Sequence, residues 1–212
     1  MKLRISELFY SLQGETTMVG IPTVFVRLTG CPLRCQYCDT AYAFQGGTLY
    51  SVEEVVHFIS QYKTSHVTVT GGEPLAQKLC FNLLKTLCDL SYTVSLETSG
   101  ALSVQDVDPR VIKIIDIKTP TSLEVERNHW ENFQYLLPHD QIKIVICNEE
   151  DYVWAKKIVS KFQLQQRCDI LFSPSYHDLS PRVLADWIVR DQLSVRLQIQ
   201  LHKFLWGDVK GR

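Results

Sequence analysis

Cys31-Pro32-Leu33-Arg34-Cys35-Gln36-Tyr37-Cys38 places three cysteines within eight residues. Three thiolates at this spacing can hold three irons of a 4Fe-4S cluster and leave the fourth iron open, because full ligation needs four. The open iron suits a molecule that chelates through an amino and a carboxylate group. S-adenosylmethionine (SAM) is such a molecule, and one electron from the cluster can break its carbon-sulfur bond to release an adenosyl radical. The competing reading is a structural zinc loop, which normally takes four ligands from paired motifs. No second CxxC occurs; Cys80, Cys88, Cys147 and Cys168 are scattered through apolar stretches where reduced cysteine is an ordinary core residue.

Outward from this loop the chain alternates short β-branched runs with longer amphipathic stretches. That pattern predicts an α/β fold. Strands are expected over 23–28, 66–70, 92–97, 111–117, 141–147, 169–172 and 195–201. Ser51 with Glu54 forms a capping box that opens a helix, and further helices are expected over 75–88, 149–162 and 181–190. With neither a Gly-rich dinucleotide turn nor a phosphate loop, parallel strands joined by crossovers suit a partial, incomplete β/α barrel. No linker, repeat or low-complexity segment interrupts the 212 residues, so residues 1–212 are expected to form a single domain.

The unusual polar residues fall just past the C-terminal ends of these strands. The cysteine loop follows the first, Thr70-Gly71-Gly72-Glu73-Pro74 the second and Glu97-Thr98-Ser99-Gly100 the third, while Asp116-Ile117-Lys118 closes the fourth. In barrels that rim gathers catalytic groups. Gly71-Gly72 allows close backbone approach and Glu73 offers an acceptor for an amino acid's ammonium, although a Gly-Gly pair also makes a plain turn. Tyr37 can lie against an adenine face or shield the cluster. Ser99 and Lys118 can hydrogen-bond a carboxylate or ribose; equally, Lys118 can pair with Asp116 or Glu97.

Arg27 interrupts the apolar run Val24-Phe25-Val26-Arg27-Leu28. A guanidinium in such a strand is costly unless paired, so it meets Glu15 or Glu97, or receives an anionic substrate. Ser11-Leu12-Gln13-Gly14-Glu15 supplies amide and carboxylate groups that can read the edge of a flat heterocycle, or is a solvated connector. His202-Lys203 either reaches the mouth or ends the chain in solvent.

Charge and hydropathy exclude other classes. Twenty-two Lys and Arg balance twenty-three Asp and Glu with no basic run, which leaves no footprint for nucleic acid or an anionic membrane. No apolar run approaches the ~18 residues of a membrane helix, and the start lacks a secretory apolar core. A cytoplasmic location is expected, in keeping with an oxygen-sensitive cluster.

CxxxCxΦC with Thr-Gly-Gly-Glu-Pro resembles the radical SAM superfamily. Within it, residues 12–15, Arg27, Gly30-Cys31-Pro32, Cys38-Asp39-Thr40, Glu97-Thr98-Ser99-Gly100 and Gln200-Leu201-His202-Lys203 resemble the 7-carboxy-7-deazaguanine synthases, from about residue 5 to 206. The resemblance implies a homodimeric partial barrel that converts 6-carboxy-5,6,7,8-tetrahydropterin into 7-carboxy-7-deazaguanine with loss of ammonia, for queuosine and deazapurine biosynthesis. SAM is then used catalytically, Mg2+ supports the step, and a flavodoxin- or ferredoxin-type protein delivers the electron. It further implies Cys31, Cys35 and Cys38 as cluster ligands and Thr40 as the Mg2+ ligand. Leu12, Gln13, Gly14, Glu15, Arg27, Thr70 and His202 would hold substrate. Tyr37, Gly72, Glu73, Ser99, Asp116, Ile117, Lys118, Ser173, Pro174, Ser175 and Tyr176 would hold SAM. Two positions depart from the family pattern: Asp116 stands where Ser is frequent, and Ser173 where Gln is frequent. Two rivals stand beside this reading: another radical SAM enzyme such as a glycyl-radical activase, and a non-catalytic metal-binding module.

Overall fold

Six of the expected strands form the parallel heart of one sheet: β2 (Pro22–Leu28), β4 (His66–Gly71), β5 (Thr93–Thr98), β6 (Ile112–Ile117), β7 (Gln141–Ile146) and β8 (Asp169–Pro174). The computed structural model describes residues 1–211. Two further strands, β1 (Leu3–Leu12) and β3 (Thr48–Tyr50), extend the sheet antiparallel beyond β2. At the other edge β9 (Arg196–Leu197) adds to β8, giving the order β3-β1-β2-β4-β5-β6-β7-β8-β9. Among the described residues no pairing joins β3 to β9, so the barrel is incomplete.

Three corrections to the expected elements have physical reasons. Leu12 ends β1 rather than sitting in a connector, since β1 pairs with β2 from Ile5 opposite Leu28 to Leu12 opposite Pro22. Its polar residues Arg4, Ser6 and Glu7, and a register shift between Ile5 and Glu7, hide the two-residue period of the strand. The strand expected over 195–201 shrinks to two residues because the Gln198 and Gln200 side chains are drawn to Glu15, and Leu201 opens a helix. The helix expected from 75 begins later: Glu73 accepts from Leu75 N at 2.9 Å and starts a single 3-10 turn, Pro74–Ala76, before the helix over Leu79–Asp89.

The helices α1 (Val52–Ile59), α2 (Leu79–Asp89), α3 (Glu149–Lys161) and α4 (Pro181–Arg190) lie in the crossovers. The Ser51–Glu54 capping box opens α1, Asn148 caps α3, and Pro181 pre-sets the first turn of α4. Their buried residues, among them Val55, Leu83, Leu87, Ala155 and Leu184, pack in one core with Val24, Val26, Val67, Val69, Val94, Leu96, Ile115, Ile142, Ile144 and Phe172 from the sheet. Strand residues alternate faces, so the other set turns inward: Arg27, Thr68, Thr70, Ser95, Glu97, Asp116, Lys143 and Ser173. The apolar face thus meets the helices, and a face on which these polar groups mix with Phe25, Ile114 and Val145 is left to line a cavity. One lysine breaks the outer rule. Lys113 sits on the helix face of β6 and pairs with the fully buried Asp140 at 2.8 Å, whose carboxylate also accepts from the backbone N of Lys113 and Leu137.

Candidate active site

The cavity opens at the C-terminal ends of β2 and β4 to β8, and the cysteine loop forms one of its walls. Gly30 starts that loop at φ 98°, a conformation that strains any residue with a Cβ. Cys31, Cys35 and Cys38 are reduced, partly buried and all line the cavity. Burial pushes the Cys35 thiol up to about 11, with Lys118 opposing the shift, and burial raises Cys31 and Cys38 in the same direction. A soft metal cluster displaces such protons when it binds. The donor set fits a 4Fe-4S group: three thiols on one wall, while among the described residues no three His, Cys, Asp or Glu side chains close on a single ion.

The Gly71-Gly72-Glu73 turn is built onto this loop. A Cβ on Gly72 would overlap the carbonyl oxygen of Gly30 and come within 2.9 Å of Cys31 Cβ. Glu73 N donates to Gly30 O at 2.7 Å. The Glu73 side chain is completely buried and accepts from Thr98 Oγ1 (2.8 Å), Ser99 N (2.7 Å), Ser99 Oγ and Leu75 N. Protein donors therefore occupy both of its oxygens, and Glu73 braces the ends of β4 and β5 from behind instead of facing the cavity. Ile117 points into the core and Leu12 ends β1, so these two, like Glu73, lie outside the cavity wall. The other site candidates all line it: Gln13, Gly14, Glu15, Arg27, Tyr37, Thr40, Thr70, Gly72, Ser99, Asp116, Lys118, Ser173, Pro174, Ser175, Tyr176 and His202.

Lys118 takes the internal pairing open to it: its Nζ lies 3.1 Å from Asp116 Oδ1. Burial works against its charge, yet Asp116 keeps it well above the usual lysine range. Arg27 pairs with neither Glu15 nor Glu97. Its Nε donates to Glu7 Oε2 at 2.8 Å across the β1–β2 ladder, and Tyr42 Oη donates to the same oxygen at 3.0 Å.

Glu15 has a different cation. Lys143 Nζ forms an ion pair with Glu15 Oε2, Gln198 Nε2 donates to the same oxygen at 3.0 Å, and Gln200 Nε2 donates to Oε1 at 2.8 Å. Burial opposes the charge of Glu15, but Lys143 and the Gln200 amide hold it below the usual carboxylate range. Gln13 locks the same loop to the sheet: its Oε1 accepts from Glu15 N (3.1 Å) and its Nε2 donates to Thr68 Oγ1 (3.1 Å). Thr70 donates to Glu97 at 3.0 Å, and burial together with the Glu15 charge pushes the Glu97 carboxyl up.

Helix α5 (Leu201–Trp206) brings His202 and Lys203 to the cavity wall. His202 is not a solvated chain end, because its ring fills the space that a Cβ on Gly14 would take. Lys203 is 7 % exposed, lies 3.1 Å from Asp39 Oδ2, and sits over the Tyr176 ring at 4.7 Å. Burial would raise Asp39, but Lys203 and Gln200 hold it well below the usual carboxylate range.

Sequence reasoning missed Lys143, Glu7, Gln198 and Tyr42. For Lys143 a signal exists, since it interrupts Ile142-Lys143-Ile144 as Arg27 interrupts its own strand. Glu7, Gln198 and Tyr42 carry no such mark, because each acts through a partner distant in sequence.

The radical SAM superfamily pattern matches residues 25–124. A 7-carboxy-7-deazaguanine synthase of Chlorobaculum tepidum is 47% identical over 99% of this chain and 97% of its own length. One of Koribacter versatilis is 38% identical over 99% of this chain and 100% of its own, and one of Thermoplasma acidophilum 34% identical over 98% and 99%. Among solved structures, QueE from Escherichia coli superposes with a TM-score of 0.73 over 94% of each chain at 23% identity. Streptococcus suis SuiB bound to S-adenosylmethionine gives 0.58 over 81% of this chain and 45% of its own at 13% identity. At those identities the two structures speak for the fold alone.

Proposed function

This chain belongs to the 7-carboxy-7-deazaguanine synthases of the radical SAM superfamily, and on that footing we propose that its cavity takes 6-carboxy-5,6,7,8-tetrahydropterin and releases 7-carboxy-7-deazaguanine and ammonia. Its cofactors are a 4Fe-4S cluster and SAM. The rival readings as a glycyl-radical activase or a metal-binding module give way to this one, because the likeness to named synthases runs over the whole chain.

One observation carries the choice of substrate: Arg27 and the Glu15 carboxylate line the same cavity as the three thiols. A carboxylated pterin has an anionic group for the first and N–H donors for the second. In this reading Cys31, Cys35 and Cys38 would hold the cluster, which together with bound SAM would supply one-electron chemistry at the substrate. Gly72, Tyr37, Ser99, Asp116, Lys118 and residues 173–176 bind SAM; Glu73 and Ile117 shape that surface from behind. Gln13, Gly14, Glu15, Arg27, Thr70 and His202 bind the pterin, with Leu12 setting the loop. His202 and Lys203 keep water from the mouth. The 1–212 chain acts as one domain, in a homodimer, in the cytoplasm, and takes its electron from a flavodoxin- or ferredoxin-type donor.

Mg2+ is assigned to Thr40. Its Oγ1 donates to Asp39 Oδ1 at 2.8 Å, and a hydroxyl that gives its proton to a carboxylate keeps lone pairs for a hard cation. Thr40→Ala is expected to raise the Mg2+ concentration for half-maximal turnover about tenfold, a loss of the size of one ligand's contribution. Overlaid Mg2+ titrations of variant and parent reject the assignment.

Anaerobic turnover tests the function. Cluster-loaded protein given a reductant, SAM, Mg2+ and the carboxylated tetrahydropterin is expected to form the deazaguanine carboxylate without stoichiometric 5′-deoxyadenosine. If 5′-deoxyadenosine accumulates while the pterin stays intact, the substrate is wrong.

A further inference from the structure

Lys143 stands at the centre of the inner face of β7, opposite Asp116 on β6 and Leu171 on β8, with its Nζ on Glu15. Three acidic side chains turned into the cavity surround it, namely Glu15, Glu97 and Asp116, and each favours its charge. The other three Lys and Arg cations of the wall are engaged elsewhere: Arg27 by Glu7, Lys118 by Asp116 and Lys203 by Asp39. Lys143 is thus the cation held by Glu15.

A carboxylate has about four lone-pair sites. On Glu15 the described partners use three of them, Lys143 and Gln198 on Oε2 and Gln200 on Oε1. One site on Oε1 is left, in a side chain that cannot rotate without breaking the ion pair. We propose that Lys143 is a positioning residue for substrate selection: by pinning Oε2 of Glu15 it aims the remaining lone pair of Oε1 at a single N–H donor on the edge of the bound heterocycle. The inference rests on the pterin reading above and adds to it the residue that orients the acceptor. A ligand presenting a carbonyl in place of that N–H meets an acceptor facing an acceptor, and is refused.

A purely structural ion pair is available for contrast in the same molecule. Lys113 and Asp140 are paired at 2.8 Å on the helix face of the sheet, away from the cavity. Removal of either lysine breaks a buried pair, but only Lys143 lies against the cavity.

The test measures steady-state KM and kcat for the carboxylated tetrahydropterin on cluster-loaded enzyme with saturating SAM, together with melting temperatures. Lys143→Met is expected to raise KM about 10- to 100-fold, the cost of one charge-assisted hydrogen bond left without its aim, while kcat changes less than about threefold. Lys143→Arg recovers most of the loss. Glu15→Gln raises KM to a similar extent, and the Lys143→Met, Glu15→Gln double variant is no worse than the weaker single one, because the two groups act as a unit. Lys113→Met lowers the melting temperature and leaves KM at the parental value. A parental KM in Lys143→Met, additive losses in the double variant, or an equal KM rise in Lys113→Met overturns the inference. Should Lys143→Met fail to fold, Glu15→Gln and Lys143→Arg decide: a parental KM in Glu15→Gln overturns it. If the parent itself does not turn the pterin over, the substrate reading falls first and the role of Lys143 with it, an outcome distinct from all the others.

Discussion

Cys35→Ala is expected to yield a folded, colourless protein that retains no 4Fe-4S cluster after reconstitution and turns over no pterin, a loss of at least about four orders of magnitude because no other group in the cavity supplies the electron. The fold is expected to survive because protein hydrogen bonds fix the course of the loop. Gly30 N donates to Ala43 O, Gln36 N to Ser122 O, and Arg34 N to Glu124 Oε1. Cys35 itself contributes little packing, being only partly buried at the cavity wall. Cys88→Ala is the matching control: it removes a thiol from the core between α2 and the sheet, so it costs packing while iron content and turnover stay parental. Iron and acid-labile sulfide per chain, read beside the melting temperature, separate the two variants. A Cys35→Ala protein that stays brown and active refutes the ligand set.

The contrast between those two cysteines marks what the sequence makes legible. Spacing along the chain suffices to bring Cys31, Cys35 and Cys38 to one cavity wall, since the loop that carries them is a local object. The parallel strands and α1, α3 and α4 are legible for a similar reason: each is buried on one or both faces, so β-branched runs, caps and helical spacing agree. β1 escapes because Arg4, Ser6 and Glu7 interrupt its apolar residues and its period is broken by the shift between Ile5 and Glu7. The interior of the barrel escapes more deeply. Glu15 and Lys143 are 128 residues apart and meet only when β7 takes its place in the sheet, and Gln198 reaches the same carboxylate across 183. Glu73 shows the opposite error. Its position in a Gly-Gly-Glu turn marks it as a ligand contact, yet Thr98, Ser99 and Leu75 satisfy it, and only the closed packing of β4 against β5 reveals that.

Arg27→Ala is expected to keep the cluster and SAM binding and to lower kcat/KM for the carboxylated pterin about 10²- to 10³-fold, the loss of two charge-assisted hydrogen bonds to one carboxylate. The size follows from how the guanidinium is held. Arg27 lies opposite Glu7 and Thr70 in the sheet, with Nε on Glu7 and the Tyr42 ring 6.0 Å away. Among the described hydrogen bonds only Nε is engaged, which leaves the two terminal amino groups for the cavity that Arg27 lines. That is the fork geometry a carboxylate accepts in bidentate fashion. Burial works against the guanidinium charge, but Tyr42, Glu7 and Glu97 more than offset it, so the charge persists across the working pH range. Two companions separate the fork from the charge and from the scaffold. Arg27→Lys keeps a cation without the planar pair of donors and is expected to fall between parent and alanine variant. Glu7→Gln loosens the Nε anchor while the cation and both terminal donors remain, so its loss stays under about tenfold. If Arg27→Ala turns over the pterin as the parent does, the substrate carboxylate is bound elsewhere and the clamp assignment falls.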